Sequence, residues 1–253
     1  MQPGARPWFR PAILLSVVCL ASAGATACGG NLVRQYEYEE EIYLAVDGSA
    51  SIYVNTSIPA LVGLRGADLR TEPNARLDRN DIRALFTSPV TRVTRVSTWR
   101  RLGRQFVQVR LETDDITKLG QAPMFAWSTY QVERRDDVLI YKQRIGSAAG
   151  KAVQDVGWRG TELVAIRLHL PSRIRFHNAG PDNLKRGNIL VWEQTLADRQ
   201  AGKPLEIEAR MERTSILYST LLLFLVSGGL ALLVMATIVY WVVRKGRSQA
   251  RHA

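Results

Sequence analysis

Apolar and polar residues alternate in short runs through the middle of the chain, a pattern typical of half-buried β-strands. In the first run Tyr36, Tyr38, Ile42, Leu44 and Val46 alternate with Glu37, Glu39 and Glu41. Pairs of runs joined by turn residues predict three hairpins: residues 36–58 with a turn at Asp47-Gly48, residues 90–112 with a turn at Leu102-Gly103, and residues 125–145 with a turn at 135–137.

Two short helical segments lie between these hairpins. Residues 80–86 are predicted to form a helix that Asp78 or Asn80 caps and that ends before Pro89. Residues 114–119 are predicted to form a helical turn capped by aspartate. The links between elements are too short for crossovers, so we expect antiparallel sheets.

A Gly- and Ala-rich loop at residues 146–160 is the best internal boundary in this part of the chain. Four further strands are predicted beyond it, at residues 164–170, 172–177, 189–194 and 205–211. The whole pattern predicts an α+β fold of mainly antiparallel sheet with short helices, followed by one transmembrane helix near the C-terminus.

The segment from Ile216 to Val243 contains no charged residue and is long enough to cross a bilayer as a helix. Arg244, Lys245, Arg247 and Arg251 follow it directly and predict a cytoplasmic tail under the positive-inside rule. A helix of this length in the core of a soluble protein is the other interpretation, but a soluble helix this long would show a polar face, which this segment lacks.

The N-terminus has the layout of a secretory signal: basic residues at Arg6 and Arg10, an apolar stretch, and then small residues up to Ala27. Two processing routes are open. Residues 25–27 fit ordinary signal peptidase, and with Cys28 they resemble a bacterial lipobox, although Ala25 stands where Leu is usual. We expect lipid attachment at Cys28, because it is followed by a flexible Gly-Gly and is the only cysteine after the leader.

These features divide the chain into a signal peptide (1–27), a tether (28–34), an exported domain (35–212), a transmembrane helix (216–243) and a basic tail (244–253). The predicted location is the bacterial cytoplasmic membrane, with a single pass, most of the chain outside the cytoplasm and the C-terminus inside. The net charge of +11 includes the cations of the leader and the tail, so the exported part is only mildly basic and does not favour nucleic acid as a partner.

The residues that carry chemistry give no indication of an enzyme. Two Asp pairs, 114–115 and 136–137, lie at a predicted helix start or turn, where Asp is favoured by local hydrogen bonds. His169 and His177 lie on strands beside arginines, which opposes metal binding. The sequence has no nucleophile elbow and no phosphate-binding glycine loop. We therefore expect no catalytic residues, no metal and no cofactor.

Basic residues offer a better indication of function. Five arginines crowd the second hairpin: Arg92, Arg95, Arg100, Arg101 and Arg104. On the strand at 172–177, Arg173, Arg175 and His177 take alternate positions, with Ile174 and Phe176 on the other face, and Lys185 and Arg186 follow a turn. We interpret these last five cations as a headgroup-binding group, because guanidinium matches phosphate geometry. An ordinary solvated face with acidic neighbours is the other interpretation.

The order of lipobox-like site, β-rich body and C-terminal span resembles the mycobacterial LppM-type envelope proteins, over roughly residues 32–243. The segment 111–119 is similar to a strand-to-helix segment of that family, and residues 170–178 with 187–192 are similar to its Pro-Gly…Asn…Gly-Asn-x-Val-x-Trp region. Ser172 replaces the usual Gly after Pro171. The resemblance implies an envelope domain that binds lipid or glycolipid, and it implies no catalytic residues.

The sequence thus favours a non-enzymatic, membrane-anchored domain outside the cytoplasm that binds an envelope lipid or glycolipid, with the bilayer and an anionic lipid as its partners. The alternative is a structural or assembly subunit that binds an envelope protein, and a hydrolase that uses an aspartate pair is a third, less favoured class. Lipid binding predicts an apolar cavity inside the sheet, whereas a partner-binding module predicts a filled core and an exposed apolar patch.

Overall fold

The computed structural model describes residues 36–72, 74–180, 183–185 and 188–249. Within them the strands are β1 (Tyr36–Leu44), β2 (Ala50–Ser57), β3 (Arg92–Arg101), β4 (Arg104–Thr113), β5 (Ser128–Arg135), β6 (Val138–Ile145), β7 (Leu163–His169), β8 (Ser172–His177), β9 (Leu184–Lys185), β10 (Ile189–Thr195) and β11 (Leu205–Ser215). The helices are α1 (Ile58–Arg65), α2 (Arg79–Phe86), α3 (Leu196–Gln200) and α4 (Ile216–Gln249), with 3₁₀ helices at Ile116–Gln121 and Pro123–Phe125. The predicted signal peptide and tether lie outside the described residues.

These strands form two sheets, which confirms the predicted α+β class. The larger sheet has seven strands in the order β3-β4-β2-β1-β7-β10-β9, and the smaller has four in the order β5-β6-β11-β8. The three predicted hairpins are present, since β2 pairs with β1, β4 with β3 and β6 with β5, each antiparallel. The last strand, β11, runs to Ser215 and so continues beyond the predicted domain end at 212.

The fold is mainly antiparallel, as predicted, and one strand pair in it is parallel. β1 and β7 are parallel neighbours, with Glu40 opposite Ile166. Five strands and four short helical segments separate them in the chain, which gives ample length for the return that a parallel pair needs. The pairing also shows that the loop at 146–160 does not divide two separate sheets.

The inner faces of the two sheets share one hydrophobic core, to which β1 contributes Ile42, β4 Val109 and β11 Met211. Helix α1 is part of this core, and every one of its residues is buried. It was not predicted, because a helix buried on all sides lacks the polar face that gives an amphipathic pattern. Its start is nevertheless encoded by Ser57, whose side chain accepts a hydrogen bond from Ala60 N at 3.1 Å.

The predicted helix at 80–86 is confirmed as α2. Its N-cap is Asp78, which accepts a hydrogen bond from Asn80 N at 2.8 Å. The predicted turn at 114–119 is the first 3₁₀ helix, and Asp115 caps it. The hydrogen bond from Thr117 to Asp115 is the main cause that lowers the pKa of this carboxyl. Both aspartates therefore act as helix caps, as the sequence predicted.

β11 passes into α4 without a linker, because the strand ends at Ser215 and the helix begins at Ile216. The turns at Gly48, Asp136 and Pro171 lie at this same end of the sheets: Arg134 Nη2 donates to Asp47 O at 2.9 Å, Arg213 N donates to Asp137 O at 2.9 Å, and Ile216 N donates to Pro171 O at 3.1 Å. We call this the helix-proximal end. The opposite, distal end holds the start of β1 and the β3–β4 turn, as the register of β1, β2 and β4 requires.

Residues 216–241 of α4 are long and apolar enough to span a membrane, with a mean hydropathy of 2.5. At 1.5 Å per residue such a helix is roughly 39 Å long, which exceeds the roughly 30 Å hydrocarbon core of a bilayer. Its most apolar part is not buried against the rest of the described chain. A helix with this surface is suited to lipid rather than to water.

Candidate functional site

The predicted headgroup strand is β8, an edge strand of the smaller sheet that begins at the helix-proximal end. Arg173 and Arg175 are both exposed there. Arg175 Nη2 forms an ion pair with Glu212 Oε1 at 2.7 Å on β11. His177 is half-buried, and its Nδ1 lies 3.1 Å from Ala179 O. The two arginines thus lie on the strand whose start pairs with Ser215, directly before α4, and one of them already has an acidic partner.

The expected alternation along β8 is interrupted by a β-bulge opposite Arg210 and Met211. Ile174 pairs with the buried Met211, whereas Phe176 pairs with Arg210 and is 45% exposed. The Arg210 guanidinium lies 4.8 Å from the Phe176 ring centroid. The prediction that Ile174 and Phe176 share one apolar face is therefore wrong, because the extra residue of the bulge shifts the faces of the strand.

The remaining predicted site residues do not join this group. Lys185 lies on β9 at the edge of the larger sheet, so it belongs to a different sheet from Arg173 and Arg175. Arg186 and the predicted lipid-attachment residue Cys28 lie outside the described residues. Of the five predicted headgroup cations, the structure brings together Arg173 and Arg175, with His177 further along the same strand.

Two arginines that sequence reasoning missed complete the helix-proximal end. Arg134 Nη2 donates to Asp47 O at 2.9 Å, and Arg213 Nη1 donates to Asp136 O at 2.9 Å. Both side chains are exposed, their hydrogen bonds are to carbonyl oxygens, and Arg134 also interacts electrostatically with the Asp47 carboxylate. Arg213 could have been identified from the sequence, because it lies three residues before the apolar segment. Arg134 could be identified only from the structure, which shows its hydrogen bond to the β1–β2 turn.

His169 lies on the outer face of the larger sheet and does not form a metal site. Its ring stacks on Tyr43 with centroids 3.9 Å apart, and its Nε2 is 3.7 Å from Glu41 Oε2. The nearby His169 side chain is the main cause that lowers the pKa of Glu41, and burial opposes it. In the described ranges, no group of three or more His, Cys, Asp or Glu side chains is arranged to hold a metal ion.

An ionic group lies in the core between the sheets. Glu40 is fully buried and accepts from Arg65 Nη2 at 2.9 Å, from the Tyr38 hydroxyl at 2.9 Å and from the Tyr130 hydroxyl at 3.2 Å. The Arg65 guanidinium lies 3.4 Å from the Trp127 ring centroid. Burial raises the pKa of Tyr38 and Tyr130 well above the usual tyrosine value, so both remain protonated donors. Closed to solvent, this group stabilises the fold and offers no surface to a substrate.

Two clefts of the folded part are polar and lie on its surface. One, of about 330 Å³, is at the helix-proximal end between Arg92, Asp114 and Lys118. The other, of about 300 Å³, lies on the outer face of the smaller sheet between Gln131, Lys142 and Glu208. Neither has the apolar lining that an acyl chain needs. The inner faces of both sheets pack into the common core.

No protein-family model matches this chain, and no curated protein matches it. Among solved structures, the chain is similar to the NMR structure of the Mycobacterium tuberculosis LppM folded domain. The identity is 14% and the TM-score is 0.41, and the match covers 75% of this chain and 98% of the other. The likeness is distant, and the function proposed below is supported by this chain's own residues.

Proposed function

We propose that this protein is a non-enzymatic, single-pass membrane protein whose folded part lies outside the cytoplasm and binds the headgroup of an anionic envelope lipid or glycolipid at the helix-proximal end. The observation that carries the proposal is the direct passage of β11 into α4. With no linker between Ser215 and Ile216, the turns at this end lie at the level of the headgroups once α4 enters a bilayer.

The charges at this end are suited to phosphate. Arg173, Arg213 and Arg134 are exposed within the turns and strand ends around Ser215. Each basic residue near an anionic membrane surface contributes about 1 kcal/mol of binding free energy. Guanidinium groups also donate two parallel hydrogen bonds to phosphate oxygens. In this arrangement the acyl chains of the lipid stay in the bilayer beside α4, and the inner faces of the sheets pack against each other.

A specific observation also favours the alternative, an assembly subunit that binds an envelope protein. Phe176 is 45% exposed and Leu184 is 48% exposed, both on edge strands. Exposed apolar side chains on sheet edges are typical of surfaces that pair with another chain. The experiment below separates the two, since a protein partner does not require an anionic lipid.

The test is the double variant Arg173→Gln/Arg175→Gln in the full chain in a neutral detergent. We expect its affinity for a soluble short-chain phosphatidylglycerol to fall about 5- to 30-fold at low salt, because two guanidinium groups are lost and one of them is shared with Glu212. The deficit should shrink at high salt, where screening already weakens the attraction. Isothermal titration calorimetry at two salt concentrations measures it.

The matched control is Arg70→Gln/Arg76→Gln, which removes the same charge from exposed residues of the loop after α1. It should leave the affinity unchanged. Both variants should unfold like the parent, because exposed cations contribute little to stability. Equal binding by the parent and by Arg173→Gln/Arg175→Gln at low salt would exclude the headgroup site and favour the assembly subunit.

A further inference from the structure

The chain has a marked charge asymmetry in its second hairpin. Between Ile82 and Leu111 there is no acidic residue, and seven arginines lie in this stretch, at positions 83, 92, 95, 100, 101, 104 and 110. Arg104 is buried and paired with Glu37 at 2.8 Å, and Arg92 is paired with Glu112 at 2.5 Å. Arg95 and Arg100 are exposed, and Arg100 Nη1 donates to a neutral acceptor, Asn74 Oδ1, at 3.4 Å. Among the described residues, no acidic side chain forms an ion pair with Arg95, Arg100 or Arg101, so the hairpin presents positive charge at and near its tip.

The apex of this hairpin is a leucine in an unusual backbone conformation. Leu102 has φ 49° and Gly103 has φ 73°, so both central residues of the two-residue turn are left-handed. Such turns favour Asn-Gly, and a left-handed conformation is costly for a residue with a bulky side chain. The Leu102 side chain is 65% exposed, so no burial within the chain compensates for this cost. A strained, exposed apolar residue at an apex suggests a role in contact with another surface.

Trp99 lies beside this apex and extends the apolar area. It is 40% exposed and stacks on Phe106 across the strand pair, with centroids 5.5 Å apart. Phe106 is buried, so one face of the Trp99 indole packs against a buried aromatic ring. Tryptophan and leucine side chains next to arginines are typical of protein segments that bind the interface of anionic bilayers. Trp99 and Leu102, with Arg100 and Arg101 between them, form this combination.

The geometry points to the hairpin tip, formed by Trp99, Arg100, Arg101 and Leu102, as a docking site for a second anionic lipid surface. The tip is at the distal end, and β4, with ten residues, separates it from the helix-proximal end. That is roughly 30 Å at 3.3 Å per residue. The surface it meets is therefore not the bilayer that holds α4, and the folded part bridges two lipid surfaces. This inference uses the membrane anchoring proposed above but not the headgroup site on β8.

The test uses the full chain held through α4 in nanodiscs of neutral phosphatidylcholine and immobilised on a support. Fluorescent vesicles containing phosphatidylglycerol are added, and captured fluorescence is measured. We expect capture of these vesicles and not of pure phosphatidylcholine vesicles. Leu102→Asn should reduce the apparent affinity about tenfold, since an apolar side chain is lost from the contact. Arg100→Gln/Arg101→Gln should reduce it about 30-fold at low salt.

The controls separate this site from the β8 site and from loss of folding. Leu184→Asn removes an exposed leucine elsewhere, and it should capture vesicles like the parent. Arg173→Gln/Arg175→Gln tests the β8 site separately, and we expect it to lower capture less than Arg100→Gln/Arg101→Gln does. Leu102→Asn should unfold at no lower denaturant concentration than the parent, because Asn accepts the left-handed conformation more readily than Leu.

Three results would overturn the inference. The first is equal capture by the parent and both tip variants. The second is loss of capture only in Arg173→Gln/Arg175→Gln, which would assign the contact to β8. The third is failure of the parent to capture any vesicle, which would leave the basic tip as a surface for an acidic protein partner.

Discussion

Replacing Glu40 with Gln is expected to lower the free energy of unfolding by about 3–5 kcal/mol, the cost of leaving a buried charge without its partner. Glu40 and Arg65 are both buried, and their side chains are 2.9 Å apart. Gln keeps the shape of Glu but not its charge, so Arg65 would remain as an isolated cation in the core. Domains of this kind have about 5–15 kcal/mol of total stability, so the variant should be close to unfolding.

Chemical denaturation of the full chain in detergent, followed by tryptophan fluorescence, measures this loss. Trp127 packs against Arg65 and therefore reports on the site itself. Glu208→Gln is a suitable control, because it breaks a pair with Arg210 at the surface of the smaller sheet. We expect that control to change the free energy of unfolding by less than about 1 kcal/mol.

The double variant Glu40→Leu/Arg65→Met tests whether charge is the cause. It removes both ions and leaves apolar side chains of similar size, so it should recover most of the stability lost in Glu40→Gln. If the double variant is as unstable as the single one, the loss comes from the shape of the site or from the freed tyrosine hydroxyls, and the electrostatic explanation is wrong.

The alternation of apolar and polar residues was sufficient to predict the three hairpins, because it specifies both strand and face. The residues Asp47-Gly48 marked the first turn and Leu102-Gly103 the second, and both turns are present. What alternation cannot show is which strands become neighbours beyond a hairpin. The β1–β7 pair is formed by residues far apart in the chain, and no local pattern encodes that contact.

The same limit applies to burial of charge. Glu37 was assigned to the polar side of β1, yet it is fully buried, because Arg104 and Trp158 cover it with hydrogen bonds of 2.8 and 3.1 Å. Trp158 comes from the loop that was interpreted as a boundary. Glu40 is paired with an arginine of α1, a helix that was not predicted. In both cases the partner is remote in sequence, so a strand with several glutamates gives no indication of which are buried.

The sequence predicted part of the candidate site, and the remaining part depends on contacts between strands that are remote in sequence. Arg173 and Arg175 were predicted to share a face because they take alternate positions on one strand, and both are exposed on β8. The bulge opposite Arg210 could not be predicted, since a bulge depends on the register of two strands and not on the alternation within one. The position of Lys185 in the other sheet likewise depends on the chain path after β8.

Fusions to alkaline phosphatase are expected to give opposite results at the two ends of α4. The enzyme inserted at Gly150 should be active, and the enzyme joined after Ala253 should be inactive. Gly150 lies in the loop between β6 and β7 with open space around it, so an insertion there should leave the sheets intact. The four cations after Val243 should hold the tail in the cytoplasm.

Activity at both positions would show that the apolar segment passes through the translocation machinery and does not stop in the membrane. Inactivity at both would show that the N-terminal segment does not direct export. The matched control is a fluorescent protein joined after Ala253. It should be fluorescent, because such a protein matures in the cytoplasm, where alkaline phosphatase is inactive.

Truncation after Ser215 separates the two predicted anchors. The most apolar part of α4 is not buried against the described residues, so its removal should leave the core and β11 folded. We expect the truncated protein to remain in the membrane fraction, because a diacylglycerol on Cys28 supplies two acyl chains, enough for stable anchoring. Adding Cys28→Ser should then release it to the soluble exported fraction. If the truncated protein is released although Cys28 is present, the leader is removed by ordinary cleavage after Ala27. In that case α4 alone anchors the protein, and the proposed headgroup site depends on α4 for its position at the membrane.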